Sequence, residues 1–117
     1  MSAFKEHELA YLQDGERRLG RIATVGKDGT PHVAPVGWRY DPATDNIDVG
    51  GRNFVESKKY RDVVRSGRAA IVIDDLASVD PWRPRGIEVR GRADALTDPP
   101  TIRIYPDRVV SWGLDQS

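Results

Sequence analysis

The chain has 117 residues, 38% of them apolar, with no cysteine and with 18 basic residues balanced by 18 acidic ones. That length predicts a single domain over 1–117 with a thin core, which a second protomer would help to stabilise. The missing cysteines exclude disulfides, thiolate metal sites and cysteine nucleophiles, and the zero net charge excludes a global field drawing the chain to nucleic acid or anionic lipid.

The start, MSAFKEHELAYLQDGERRLG, lacks the basic-then-apolar order of a secretion signal. The longest apolar run, 69–73, is far too short to span a bilayer, so a soluble, cytoplasmic protein is expected. Over 6–14, Leu9 and Leu12 fall on one side of a short amphipathic helix that Gly15 ends and that should lid one end of the fold.

Two β-prone runs, 19–25 and 31–40, flank the turn GKDGT, whose Asp28-Gly29 pair suits positive φ, and they predict a hairpin. Strand alternation puts His32, Ala34, Val36, Trp38 and Tyr40 on one face and Val33, Pro35, Gly37 and Arg39 on the other. Pro35 cannot donate to a ladder and Gly37 packs nothing, so this strand has either an open edge for a ligand or backbone, or a simple bend.

A further turn, DPATDN, leads to a strand at 47–50. FVESKKYRDVVRSG then reads as a helix with Phe54, Lys58, Arg61 and Arg65 at helical spacing, Tyr60, Val63 and Val64 on its apolar side, and Gly67 as its stop. The run 69–73 predicts a strand buried on both faces. Residues 86–96 alternate Ile87, Val89, Gly91, Ala93 and Ala95 against Glu88, Arg90, Arg92 and Asp94, which predicts a long half-solvated strand. SVDPWRPRG between them reads as a loop, and Pro99-Pro100 as a break before the last strand segment.

The chemistry-bearing residues are few. His7 and His32 are the only imidazoles and sit in no metal spacing, no GxGxxG or P-loop is present, and no acid, base or nucleophile constellation assigns a catalytic residue. Between Arg52 and Arg68, six basic residues face only Glu56 and Asp62, which by itself describes a solvated helix face equally well. Its position raises it above that: Gly50-Gly51-Arg52-Asn53 ends a strand and opens the helix, where unpaired amides and the positive dipole end favour an anion. Trp38 is expected in the core. Trp82 and Trp112 fall in irregular or terminal segments and suit an interface or a planar ligand, with a dimer contact the safer reading.

Four segments in order across 19–114 carry a resemblance: RIATVGKDGTPHVAPVGW, GGRNFVESKKYRDVVRSGRAAIVIDD, PWRPRGIEVRGRA and IRIYPDRVVSWGL. They resemble the first hairpin, the phosphate-binding helix with its following strand, the long strand and the closing strand of the pyridoxamine 5'-phosphate oxidase-like split β-barrels, and within these the short deazaflavin (coenzyme F-420) branch. The resemblance implies a mainly β protein with two short helices, a six- to seven-stranded split β-barrel like the FMN-binding barrels. It implies that Ser57 and Lys59, with Lys58 and Arg52 nearby, hold a cofactor phosphate and that the backbone of Val36 and Gly37 borders the ring system. It further implies a homodimer in which Trp82 and Trp112 come from the partner chain. The cofactor implied is F-420, with FMN as the alternative, and the activity is hydride transfer to a small organic acceptor. Gly86 stands where the oxidases have a glutamine, which argues against vitamin B6 chemistry. A non-catalytic cofactor carrier and a structural domain whose basic helix meets an acidic partner are the readings from other classes.

Overall fold

The computed structural model describes residues 1–114. In chain order the elements are α1 (Glu6–Leu12), β1 (Gly20–Val25), β2 (Pro31–Val36), β3 (Trp38–Asp41), β4 (Asn46–Val49), a 3-10 turn (Phe54–Glu56), α2 (Lys58–Ser66), β5 (Arg68–Ser78), β6 (Arg83–Thr97), β7 (Pro100–Ile104) and β8 (Arg108–Trp112). The strands pair in the order β2-β1-β5-β6-β7-β4-β3, with β8 also on β6, and every ladder is antiparallel.

The expected split barrel is present, with eight strands because two expected strands divide. The run 31–40 breaks at Gly37, so that β2 pairs with β1 while β3 pairs with β4. The last segment likewise breaks after Ile104 into β7 and β8. Since β2 and β3 stand at the two ends of the pairing order, Gly37 is the point where the chain crosses from one half of the barrel to the other.

Alternation nonetheless runs unbroken through the crossing. Val36 is buried and His32, Ala34, Trp38 and Tyr40 are partly covered, while Val33, Pro35, Gly37 and Arg39 are exposed. The core is a stack of β-branched side chains that suit a pleated surface. Ile22, Ile47, Val49, Ile71, Ile73, Ile87, Val89, Ile102 and Ile104 are all buried, and register sets Ile22 opposite Ile71, Ile71 opposite Val89, and Ile47 opposite Ile104.

Four local expectations change. β5 buries only Ala69, Ile71 and Ile73, and among the described residues Ala70 and Val72 on its outer side stay half-covered. The Pro- and Arg-rich segment is not a loop: β5 runs on to Ser78 and β6 starts at Arg83, leaving a short turn that carries Trp82. α1 stops at Leu12 and buries Glu8, which accepts the Ser111 hydroxyl at 2.5 Å and the Lys5 amide at 2.8 Å. α2 starts at Lys58 rather than near Phe54, and its inner face is Tyr60, Asp62 and Val63, with Val64 exposed.

Candidate functional site

Gly37 lies beside the loop that leaves β4. A groove of about 250 Å³ there is lined by Gly37, Trp38, Arg39, Asp48, Val49, Gly50 and Thr101. A methyl group placed on Gly37 would meet nothing within 4 Å, and one on Gly50 would come no closer than 3.7 Å to the Pro100 carbonyl. Neither glycine has a positive φ. Backbone conformation and packing therefore leave both positions open to a side chain, and what the glycines provide is bare backbone along the groove.

The groove walls are firm. Trp38 donates its indole N–H to the Arg18 carbonyl at 2.7 Å. Asp48 is buried and receives Arg103 through two N–H groups at 3.0 and 3.1 Å, with Arg39 at 3.5 Å. The Asp48 contact raises the Arg103 guanidinium further above its ordinary value. Gly37, Trp38 and Arg39 are shared with a second groove of about 670 Å³ on the side of α1, reaching Leu12 and Leu19.

Downstream of Gly50 the chain turns through Asn53 at φ +49 into the 3-10 turn and then α2. Ser57 is the N-cap of α2: its hydroxyl donates to the Phe54 carbonyl at 2.6 Å and accepts the Tyr60 amide at 3.3 Å. A hydroxyl has one proton, so Ser57 starts the helix and has none left for a phosphate. Among the described residues the Lys58 and Lys59 amides have no acceptor within the chain, as is usual for the first turn of a helix. Arg52 is exposed, and Lys59 holds its ammonium 5.3 Å from the Phe54 ring. Neither makes an ion pair among the described residues, whereas the Lys58 ammonium stands 3.8 Å from Asp62 Oδ1. Arg61 and Arg65 lie on the exposed side, and Arg65 donates to the Val25 carbonyl.

One residue of this region carries more structure than its pattern suggested. Asp62, 3% exposed, accepts the Thr24 hydroxyl at 2.8 Å and faces His32 Nδ1 at 3.0 Å, both through Oδ2. Burial opposes its ionisation, but the Thr24 and His32 hydrogen bonds and the Lys58 charge outweigh burial and hold the carboxyl below the usual range. Helical spacing gave no signal for Asp62, because what sets it apart is the pair of partners, Thr24 and His32, that β1 and β2 bring to it.

The two outlying tryptophans are not brought to this region. Trp82 is 66% exposed at the β5–β6 turn, the opposite end of β6 from Leu96, whose carbonyl anchors the Tyr60 hydroxyl of α2 at 2.8 Å. Trp112 sits in β8 opposite Gly86, where an added Cβ would lie 2.7 Å from the indole. Gly86 is thus the clearance for Trp112 within the same chain. Among the described residues no cluster of three metal-ligating side chains occurs, and no helix is long and apolar enough to cross a membrane.

An antiparallel barrel split at Gly37, with a glycine-lined groove at the crossing and a Ser-capped helix of basic start later in the chain, defines a split β-barrel protein. The chain belongs to the pyridoxamine 5'-phosphate oxidase family, whose model matches residues 4–112. It is 36% identical to a 5a,11a-dehydrotetracycline/5a,11a-dehydrooxytetracycline reductase of Streptomyces rimosus over 96% of this chain and 84% of that protein. It is 35% identical to an F420H(2)-dependent biliverdin reductase of Mycobacterium tuberculosis over 81% of this chain and 61% of that one. Among solved structures, a conserved hypothetical protein of Mycobacterium tuberculosis superposes with a TM-score of 0.75 at 20% identity, covering 97% of this chain and 88% of that one.

Proposed function

We propose that the chain is an oxidoreductase that binds coenzyme F-420 along the Gly37–Gly50 groove and reduces a small organic acceptor. The observation that carries this is the pair of glycines that neither φ nor packing requires, lining one groove a few residues before a basic helix start. Bare backbone admits a flat ring system to close approach, and the amides of Lys58 and Lys59 with the charges of Arg52, Lys58 and Lys59 suit a phosphate. The similarity to two reductases, one of them named for F420H(2), supports a deazaflavin over FMN.

When bound, reduced F-420 supplies a hydride, the hard part of the chemistry. This chain's residues position it: Val36 and Gly37 offer main-chain groups beside the ring, Trp38 and the Asp48–Arg103 pair keep the groove wall in place, and Ser57 fixes where α2 begins. No side chain is assigned a proton-transfer role. A homodimer belongs to this reading, with Trp82, remote from the groove in its own chain, reaching the site of the partner. Trp112, packed on Gly86, serves there as part of the supporting sheet.

Titrating the purified protein separately with F-420 and FMN tests the proposal. Tighter binding of F-420 is expected, tighter FMN binding would reassign the cofactor, and binding of neither would overturn the oxidoreductase reading.

A further inference from the structure

The Thr24–Asp62–His32 chain lies outside the function proposed above. An ionised carboxylate only accepts hydrogen bonds, so the proton on the 3.0 Å contact between Asp62 Oδ2 and His32 belongs to Nδ1, and Nε2 is the nitrogen left for another partner. The ring is seated from its other side too. A Cβ added at Gly26 would lie 2.5 Å from His32 Cε1, although the Gly26 backbone conformation does not itself call for glycine. β1, the β1–β2 turn and α2 therefore each contribute one residue, Thr24, Gly26 and Asp62, to hold this imidazole in one orientation.

A groove of about 600 Å³ opens on the ring, walled by Lys27, Asp28, Thr30 and Lys58. Asp28 is turned into its own turn, accepting the Thr30 amide at 3.0 Å. Lys58 Nζ stands 3.8 Å from Asp62 Oδ1, Arg65 points to the Val25 carbonyl, and Lys27 makes no ion pair among the described residues. An amide in place of Asp62 would fasten α2 to β2 equally well. A carboxylate also balances the charge the ring carries when both of its nitrogens donate.

We propose that His32, oriented by Asp62, is the recognition residue of an oxyanion site in this groove, taking a tetrahedral phosphate- or sulfate-type group between its Nε2–H and the ammonium groups of Lys27 and Lys58. The site is distinct from the glycine groove, since His32 and Gly37 are roughly 16 Å apart along extended chain, but it draws on the Lys58 ammonium that the proposed function counts at the start of α2. It is testable without any redox cofactor.

The test is a titration of isotope-labelled, cofactor-free protein with sodium sulfate at constant ionic strength, read by NMR on the two histidines. A saturable shift of His32 Nε2 and the adjoining C–H is expected while His7 stays unmoved. H32Q should weaken sulfate binding about tenfold. K27A, in an exposed turn away from the Asp62 contact, should weaken it severalfold and serves if H32Q fails to fold. His32 signals that ignore sulfate, or that move equally with chloride, would leave the Asp62–His32 contact as a staple between helix and strand and overturn the proposal. F-420 added at sulfate saturation identifies the source of the natural oxyanion: displacement means the cofactor's own phosphate, joint binding means a second ligand, and both uphold the site. Sulfate binding at His32 in a protein that takes neither F-420 nor FMN would uphold it while removing the oxidoreductase reading.

Discussion

Asp75 grips Arg85 through two N–H···O bonds, 2.7 Å from Nε and 3.1 Å from Nη2. The same carboxylate accepts Arg18 Nε at 2.9 Å and the Tyr11 hydroxyl at 2.9 Å, so one side chain ties α1, the segment before β1, and the β5–β6 hairpin. The Arg85 hydrogen bond, followed by those from Arg18 and Tyr11, overcomes burial and holds the Asp75 carboxyl far below the ordinary range.

A carboxyl lowered in the folded state contributes stability that is complete above the unfolded value of about 3.9 and is lost as pH falls toward the folded value. Asp75→Asn should therefore cost about 1.5–3 kcal/mol near neutral pH and nearly nothing in strong acid. Urea midpoints across pH check this: the acid limb of the wild-type stability profile should flatten in the variant.

Tyr40 gives the alkaline counterpart. Burial, and then its hydrogen bond to Asp45 at 2.6 Å, push its phenol up to about 12. The folded state thus keeps a proton that the unfolded chain loses near about 10, so stability is complete below that value and declines as pH rises through it. Ultraviolet titration should show a tyrosine with its midpoint near 12 that disappears in Tyr40→Phe.

Gly37→Ala separates binding from folding. With nothing within 4 Å and an ordinary φ, the new methyl should change stability by no more than about 1 kcal/mol. Cofactor affinity measured by fluorescence titration should nevertheless fall by at least roughly tenfold, because the methyl occupies the groove. Unchanged affinity would remove Gly37 from the site.

Ser57→Ala and Lys59→Ala should do opposite things. Loss of the N-cap hydroxyl costs about 0.5–2 kcal/mol of stability. Loss of the Lys59 ammonium should leave the melting temperature in place and weaken cofactor binding by about 1.5–3 kcal/mol. Calorimetry on both variants, thermal and isothermal, distinguishes the two roles.

Gly86→Ala tests the Trp112 seat. The added Cβ would meet Asp74 Cβ at 2.6 Å, the Trp112 ring at 2.7 Å and the Ile73 carbonyl at 2.8 Å, two of these in the β5 backbone or next to it. Destabilisation of about 1–3 kcal/mol is expected, together with a shift of tryptophan emission.

Much of the fold was legible because it rests on local spacing. The alternation of Ile87, Val89 and Ala93, or of Val36, Trp38 and Tyr40, follows from the period of a strand, and each appears in the burial observed. The basic start of α2 was legible from glycines and lysines in a row. The helix boundary was not, since the competing 3-10 turn depends on the Ser57 hydroxyl choosing Phe54 as its acceptor. Nor was Asp62, which counted only as a negative charge on a basic helix until Thr24 and His32 arrived from strands more than two dozen residues earlier.

The sequence by itself determined the mainly β class, the two helices, the family and the stretch of chain that bears the charge, because residue periodicity and turn chemistry act over a few neighbours. Only the tertiary structure decided that the strand at 31–40 changes partners at Gly37, that Gly37 and Gly50 line one groove, and that Asp48, Asp62 and Asp75 are each held by arginine, histidine or hydroxyl groups from other parts of the fold. These depend on register between distant segments, and a charge's partner, unlike its spacing, is set by which strand lies alongside it.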